Sequence, residues 1–530
     1  MREAQIGMPE GGFPLRRGNS KPHHGGPESG WACRAEATRR QVREHGKGAG
    51  SNRAQSLLGY IALTLAFSGC KLPDQTTIVP VIETPENWIA GGVPEKVGLD
   101  WWTSFESPAL DAVVHETLKN NRDLLAAAAR VEAAAAQARI AGADLIPSLS
   151  GTTDARRNKQ NFVGLPIPGG GNVLTTHASS FNLTFITSWE LDLWGRIRAG
   201  KRAANQELSA RLADLRGARQ SLAAQAAKAW IATLEAQRQL ELTQKTIQSH
   251  RATEVQVKRR YEEGLRSSLD LRLASAGVAN AEAMLEARTQ ALETATRRME
   301  ILMGRYPSGK RAADAILPGV SATIPAGLPA DLLARRPDLV AAGLRLLAAD
   351  SRIAGAKAAL LPRISLTAQG GTATAELSDL LSSDFTVWTL AGNLAQPILD
   401  GGRLRAGVKL TNARAQQAAA AFESAALQAF GEVETALASE ATLARREERL
   451  LIALSHARAA HELASGRYGE GLESFAIVLE TQRQLLATES QALAAQAQRL
   501  GNRVNLHLAL GGGFDPASGP IDTSDKNAKE

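Results

Sequence analysis

Two stretches of this sequence share one pattern, Arg260-Tyr-Glu-Glu-Gly-Leu-Arg-Ser267 and Arg467-Tyr-Gly-Glu-Gly-Leu-Glu-Ser474, and they stand 207 residues apart. A second pair of motifs, Gly195-Arg-Ile-Arg-Ala-Gly200 and Gly402-Arg-Leu-Arg-Ala-Gly407, has the same offset. Because both pairs share one offset, the segment between the motifs has the same length in the two copies. This pattern predicts a duplicated, rigid unit that ends in a defined turn.

Long helices are the elements that this pattern indicates. No proline occurs in 169–306 or in 398–515, and both ranges are rich in helix-forming residues. Small or apolar residues recur at every seventh position, which is coiled-coil periodicity. A helix over about 195–261 would be roughly 100 Å long. Gly264 and Gly471 then supply residues that tolerate positive φ at the two places where the chain reverses, one in each repeat. An ordinary helical hairpin is the simplest alternative.

The N-terminal part differs from the rest. Residues 1–52 are rich in Gly, Pro and Arg, and their Cys and His residues have no metal-ligand spacing, so we predict a disordered or non-mature extension without a metal site. Residues 53–69 combine Arg53 with an apolar run and predict a signal peptide. The segment ends in Phe67-Ser-Gly-Cys70, which resembles a bacterial lipobox. We therefore expect a covalent lipid on Cys70 and no other cofactor.

Charge and motifs exclude several functions. The formal net charge of +7 falls to +2 when residues 1–69 are removed, so the charge of the remaining chain does not indicate nucleic-acid binding. The sequence has no zinc-protease, phosphate-loop or serine-hydrolase motif, and its histidines are scattered. We therefore predict that the protein is not an enzyme.

Three further motifs carry a family resemblance: Trp101-Trp-Thr-Ser-Phe105, Asn120-Asn-Arg-Asp-Leu124 and Arg335-Arg-Pro-Asp-Leu339. Together with the two Arg-Tyr-x-x-Gly-x-x-Ser turns, they resemble the TolC-like outer-membrane efflux lipoproteins of the NodT/OprM type. The resemblance extends from about Cys70 to Gly511. It implies the outer-membrane factor of a tripartite pump.

Each repeat also contains strand-like sequence with period-two alternation. The predicted strands cover 147 to about 158 and 180–192 in the first repeat, and 362–372 and 384–396 in the second. A soluble hairpin is one interpretation. Four strands cannot close a membrane barrel, which needs about eight or more. The resemblance implies a trimer whose strands form a 12-stranded β-barrel above a periplasmic α-barrel. The expected fold class is therefore mainly α with a β-barrel part.

The predicted organisation can be stated by residue range. It comprises the extension 1–52, the signal peptide 53–69, the lipid anchor and tether 70–108, repeat 1 over 109–303 with a β-hairpin at 147–192 and a tip at 260–270, a linker 304–334, repeat 2 over 335–510 with a β-hairpin at 362–396 and a tip at 467–480, and a disordered tail 511–530.

The tips contain the residues that we expect to gate the pore and to bind an adaptor. Carboxylates at a narrow place control what passes, so Asp270, Glu473 and Glu480 are the gate candidates, with solvated helix-end carboxylates as the alternative. The two turns are expected to serve closure and adaptor docking. Their residues are Arg260, Tyr261, Gly264, Ser267, Arg467, Tyr468, Gly471 and Ser474.

The function that the resemblance implies is export. A homotrimer in the outer-membrane lipid of a Gram-negative bacterium, extending into the periplasm, would be a passive duct for small molecules. Its partners would be a periplasmic adaptor (membrane fusion protein) and an inner-membrane RND-type pump. Two alternatives remain: the outer-membrane duct of a type I protein secretion system, and a lipid-anchored structural coiled coil without a pore.

Overall fold

The computed structural model describes residues 82–92, 98, 100–162, 174–310, 317–319, 326–327 and 329–512. All of them belong to the second of the chain's two units, Lys71–Glu530. The predicted extension, the signal segment, Cys70, the loop at 165–171 and residues 513–530 of the predicted tail lie outside these ranges.

Helices make up most of the described chain. They are α1 (Pro108–Asn120), α2 (Arg122–Ala143), α3 (Arg196–Glu262), α4 (Ser268–Leu302), α5 (Pro329–Arg335), α6 (Pro337–Ala358), α7 (Arg403–Gly469) and α8 (Phe475–Ala509). In this part of the chain no helix is both long and apolar enough to cross a membrane. Short α5 lies in the predicted linker except for its last residue, Arg335.

The duplication is visible in the helix lengths. Helices α3 and α7 each contain 67 residues, and α4 and α8 each contain 35. At about 1.5 Å per residue the longer helices are each about 100 Å long. Helix α3 packs along α4, and α7 packs along α8. The equal offset of the two motif pairs therefore corresponds to equal helix lengths.

Alanine faces allow the long helices to approach closely. Ala210, Ala223 and Ala227 of α3 are fully buried, as are Ala415 and Ala429 of α7. Because the alanine side chain is a single methyl group, the axes of packed helices can come close together. The helices then make van der Waals contact along the whole length of their interface. In α7 the buried Ala415 and Ala429 lie at the predicted every-seventh positions, so the predicted close approach of alanine faces is present there.

One antiparallel sheet completes the described fold. Its strands are β1 (Ser148–Phe162), β2 (Leu174–Leu191), β3 (Arg363–Thr374) and β4 (Thr386–Ala395), in the order β1-β2-β3-β4. The first two strands run further than the predicted 147 to about 158 and 180–192. They pair without a break through Phe162 and Leu174, because cross-strand bonds satisfy the polar backbone even where apolar alternation has ended.

The sheet has two different faces. Residues directly opposite in an antiparallel pair lie on the same face, so the register places Leu149, Phe185, Trp388 and Leu390 together. All four are exposed, Trp388 by 78% and Leu390 by 72%. The other face carries mainly small polar residues, including Ser150, Thr152, Thr184, Ser365, Thr367 and Asn393. One face is thus suited to lipid and the other to water.

A tight backbone contact in the sheet yields a first prediction. A methyl group on Gly371 would overlap the Leu183 carbonyl oxygen and lie 2.9 Å from Thr184 Cα, whereas one on Gly370 would meet no atom within 4 Å. We expect Gly371→Ala to disrupt the β2–β3 pairing and strongly reduce the yield of folded protein. Gly370→Ala is the matched control and should assemble normally. The folded fraction is measured from the heat-dependent electrophoretic mobility of the extracted protein. Equal folded fractions of the two variants would contradict the prediction.

The N-terminal segment is anchored at the middle of the helices. Trp101, Trp102 and Phe105 are buried in the main hydrophobic cluster, which also includes Trp88 and residues of α3, α7 and α8. The Trp101 ring stacks on His507 of α8, with centroids 5.2 Å apart and planes at 15°. The segment from Trp88 to Phe105 thus packs against helices of both repeats.

His507 makes this anchor sensitive to pH. Burial, with a contribution from Arg503, lowers the pKa of His507 to about 4. The unfolded chain takes up a proton at the ordinary value of about 6.5, so the unfolded state binds more protons between pH 6.5 and 4. Stability should therefore fall as the pH falls through that window, by at most about 3 kcal/mol from this residue.

The His507→Phe variant tests this second prediction. It should keep the stack on Trp101 and lose part of the pH dependence of unfolding, measured by tryptophan fluorescence between pH 7 and 4.5. His115→Phe is the control, because His115 is exposed beside Trp102. A pH dependence equal in wild type and His507→Phe would contradict the assignment.

Candidate functional site: the paired turns

The two turns have the same backbone. Gly264 and Gly471 have φ of 77° and 81°, the left-handed conformation that suits glycine. In the first turn the amide of Leu265 donates to the Arg260 carbonyl at 2.8 Å, and in the second Leu472 donates to Arg467 at 2.9 Å. This is a Schellman ending of α3 and α7, which satisfies carbonyls that the helix leaves unpaired.

The helices that follow the two turns, α4 and α8, begin with slightly different N-cap hydrogen bonds. Ser267 is the N-cap of α4, and its hydroxyl oxygen accepts from the amide of Asp270 at 3.3 Å. Ser474 is the N-cap of α8 but makes no such side-chain bond. Its amide instead donates to the Glu473 carboxylate at 3.1 Å. A serine at this position ends the turn and begins the returning helix.

The first turn is bonded to the second through Arg260. Its guanidinium donates to the carbonyl oxygens of Tyr468 at 2.9 Å and Gly469 at 2.7 Å, at the end of α7. Its guanidinium carbon also lies 5.1 Å from the centre of the Tyr468 ring, and that of Arg266 lies 4.7 Å away. A cation here complements the helix dipole, satisfies terminal carbonyls and stacks on an aromatic ring.

An apolar cluster surrounds the same tyrosine. It consists of Val257, Ala274, Ala464, Tyr468, Phe475 and Val478, all buried. The Tyr468 and Phe475 ring centroids lie 5.5 Å apart. The two turns of one chain therefore form a single packed unit.

The repeat symmetry is broken at these positions. Tyr468 is 4% exposed, whereas its counterpart Tyr261 is 42% exposed. Arg467, the counterpart of Arg260, is also exposed, and its side chain has no hydrogen bond or ion pair within the described ranges. Of the four Arg and Tyr residues predicted for docking, Arg260 and Tyr468 therefore contact each other, whereas Tyr261 and Arg467 are exposed.

The three gate candidates have different surroundings. Glu473 is half-buried, and its carboxylate accepts from the Ser474 amide. Asp270 is half-buried in the first turn of α4. Glu480 is exposed and forms an ion pair with Arg483 at 2.7 Å, so a cation of the same chain accompanies its charge. Across the described residues no group of three His, Cys, Asp or Glu side chains could hold a metal ion.

Sequence reasoning missed Arg266, Phe475 and Arg483. A signal for the first two was present: at the repeat offset Arg266 corresponds to Glu473, and Phe475 corresponds to Ser268. These differences mark the second turn as the one that contributes an apolar core and the first as the one that contributes cations.

Comparison with known proteins places this architecture in a family. The family model described as outer membrane efflux protein matches residues 113–305 and 328–512. The chain is 32% identical over 477 residues to the toluene efflux pump outer membrane protein TtgF of Pseudomonas putida, covering 86% of this chain and 97% of the relative. It is 34% identical over 468 residues to the outer membrane protein OprJ of Pseudomonas aeruginosa, covering 86% and 95%.

Solved structures agree. The outer-membrane channel OprN matches with a TM-score of 0.75 at 28% identity, covering 82% of this chain and 99% of that one. The open state of the Neisseria gonorrhoeae MtrE outer membrane channel matches with a TM-score of 0.73 at 28% identity, covering 84% and 98%. The chain belongs to the outer membrane efflux protein family, and it is a TolC-like outer-membrane channel component of an efflux pump.

Proposed function

We propose that three copies of this chain form one duct, with a 12-stranded barrel in the outer membrane and a cylinder of helices in the periplasm. The sheet carries this proposal. It is apolar on one face and polar on the other, and both edge strands, β1 and β4, lack a second partner within the described residues. Joining β4 of one copy to β1 of the next removes every edge and places the polar face around the pore.

The paired turns are the periplasmic gate and docking surface in this proposal. Their distance from the sheet is set by α3 and α7, each about 100 Å long. Glu473, Glu480 and Asp270 would line the narrow end, and the exposed Tyr261 and Arg467 would meet neighbouring copies or a periplasmic adaptor. An inner-membrane RND-type pump would supply the energy.

Small molecules are the proposed cargo. Relatives are named for toluene efflux, solvent efflux and pyoverdine export. These names concern compounds of different chemistry, which suits a passive duct whose selectivity resides in its pump and adaptor. A type I secretion duct would carry protein instead.

Two measurements test the function. The purified protein should form channels in planar bilayers, and the double variant Glu473→Ala/Glu480→Ala should conduct at least as well. A strain without the gene should become more sensitive to dyes, antibiotics or solvents and recover on complementation. Absence of channels from both proteins would support the structural coiled coil, and loss of protein secretion alone would support the type I duct.

The lipid anchor on Cys70 remains part of the proposal. The lipobox-like Phe67-Ser-Gly-Cys70 supports it. Our third prediction is that Cys70→Ser, which lacks the acceptor thiol, takes up no labelled palmitate. Cys33→Ser is the control and should be labelled like the wild type. Unchanged labelling of Cys70→Ser would contradict the anchor.

A further inference from the structure

Strands β1 and β2 continue beyond the other two strands. Pairing of β2 with β3 ends at Phe181 and Thr374, whereas β1 and β2 remain paired for seven further residue pairs, up to Phe162 and Leu174. At about 3.3 Å per residue this extension is roughly 20 Å long. It lies at the end of the sheet opposite the helices, because α2 enters β1 at Ser148 and α3 follows β2.

The extension carries basic residues on the same face that is apolar in the four-stranded part of the sheet. Arg157 lies opposite Ser179 and Lys159 opposite His177. Side chains alternate between faces along a strand, so both cations are on the face of Leu149 and Trp388. Both are exposed. Arg156, one residue away, is on the polar face.

These cations lie in a segment of the sheet that carries no negative charge. The segments 156–162 and 174–180 contain Arg156, Arg157 and Lys159 and no acidic residue. Within the part of the chain that the structure describes, none of the three forms an ion pair. Three unpaired cations at neighbouring positions repel one another, so an anion close to them would be stabilised.

Their height matches a membrane surface. The apolar face extends along β2 from Leu191 to Phe181, which at the usual tilt of membrane strands is about 25 Å, the height of an outer-membrane apolar band. Arg157 and Lys159 stand two and four residues above Ala155, which pairs with Phe181. That is about 7 and 13 Å further along the strand, at the level of lipid headgroups.

We propose that Arg157 and Lys159 bind the phosphate groups of phosphorylated glycolipid in the outer leaflet, an inference that rests on the proposed membrane barrel. The planar guanidinium of arginine matches a phosphate in a bidentate geometry. The lysine stem lies along the apolar face while its ammonium reaches the headgroup layer. The bound lipid thereby forms a ring around the outer rim of the barrel.

A charge-matched pair of variants tests the site. Full-length protein is reconstituted with bisphosphorylated lipid A, with the same lipid after phosphate removal, or with phosphatidylcholine, and the bound lipid is counted by native mass spectrometry. Arg157→Gln should retain at least five-fold less lipid A than wild type, and addition of Lys159→Gln should lower retention further. Arg156→Gln, on the other face, should retain it normally, and retention of the phosphate-free lipid should be low and equal for all.

Three results would overturn the proposal. Arg157→Gln and Arg156→Gln could retain equal amounts of lipid A, or lipid A could be retained equally with and without phosphate. Alternatively, Arg157→Gln could weaken the oligomer without changing lipid retention. In that case the cations pair with a neighbouring copy, whose β3–β4 connection carries Glu376, Asp379 and Asp384. Channel formation is recorded in parallel, so failure of the barrel itself is distinguished from failure of lipid binding.

Discussion

Arg260→Ala should leave the channel open for a much larger fraction of time than the wild type. Arg260 joins the two turns of one chain through the Tyr468 and Gly469 carbonyls and through the Tyr468 ring. Its contacts are partly exposed, so we assign them about 2 kcal/mol. If they stabilise the closed tip, their loss shifts the ratio of open to closed channels roughly thirty-fold.

The neighbouring Arg259 is the control. It is exposed and forms its ion pair with Glu263 within the same segment, at 3.1 Å. Single-channel recording in planar bilayers should show longer openings for Arg260→Ala and unchanged openings for Arg259→Ala. Equal opening of Arg260→Ala and wild type, or the same increase in both variants, would show that this contact does not hold the tip closed.

The largest loss of stability is expected from Glu440→Gln. The Glu440 side chain is 3% exposed, and it joins α7 to α8. One carboxylate oxygen lies 2.9 Å from Arg499 Nε and 3.1 Å from Arg503 Nε, and the other accepts from the Asn502 amide at 3.1 Å. Removal of the negative charge takes this carboxylate away from the buried Arg503, while Arg499 keeps its second ion pair, with Glu447 at 2.9 Å. Breaking a buried ion pair in this way costs roughly 3–5 kcal/mol.

Glu448→Gln provides the comparison for this fifth prediction. Glu448 lies on the exposed side of α7, and its side chain has no partner within the described ranges. Thermal unfolding followed by circular dichroism should show a clearly lower transition for Glu440→Gln and little change for Glu448→Gln. If both variants unfold at equally lowered temperatures, the buried ion pairs of Glu440 contribute no more to stability than an exposed charge does.

The repeated motifs were sufficient to predict the long helices and their turns. A shared offset fixes equal lengths, and glycine at 264 and 471 fixes the left-handed turn, because both are properties of the local sequence. The period-two alternation within 180–192 likewise predicted a two-faced strand. In these places local preference and tertiary packing agree.

Other features depend on distant contacts and were not predictable. Tyr261 and Tyr468 follow the same residue in the same motif, yet only Tyr468 is buried, because Phe475 and two arginines of the first turn surround it. The burial of Glu440 depends on Arg499 and Arg503, about sixty residues later in the chain. The β1 extension was missed because its side chains do not alternate in polarity.

In the proposed duct, one chain supplies a third of a closed passage. Native mass spectrometry of the purified protein in detergent, combined with electron microscopy of the same sample, tests it most directly. We expect a particle of three chains, with twelve strands around a continuous lumen that leads into a cylinder of helices. A stable single chain, or an oligomer whose sheets remain open and separate, would contradict the account.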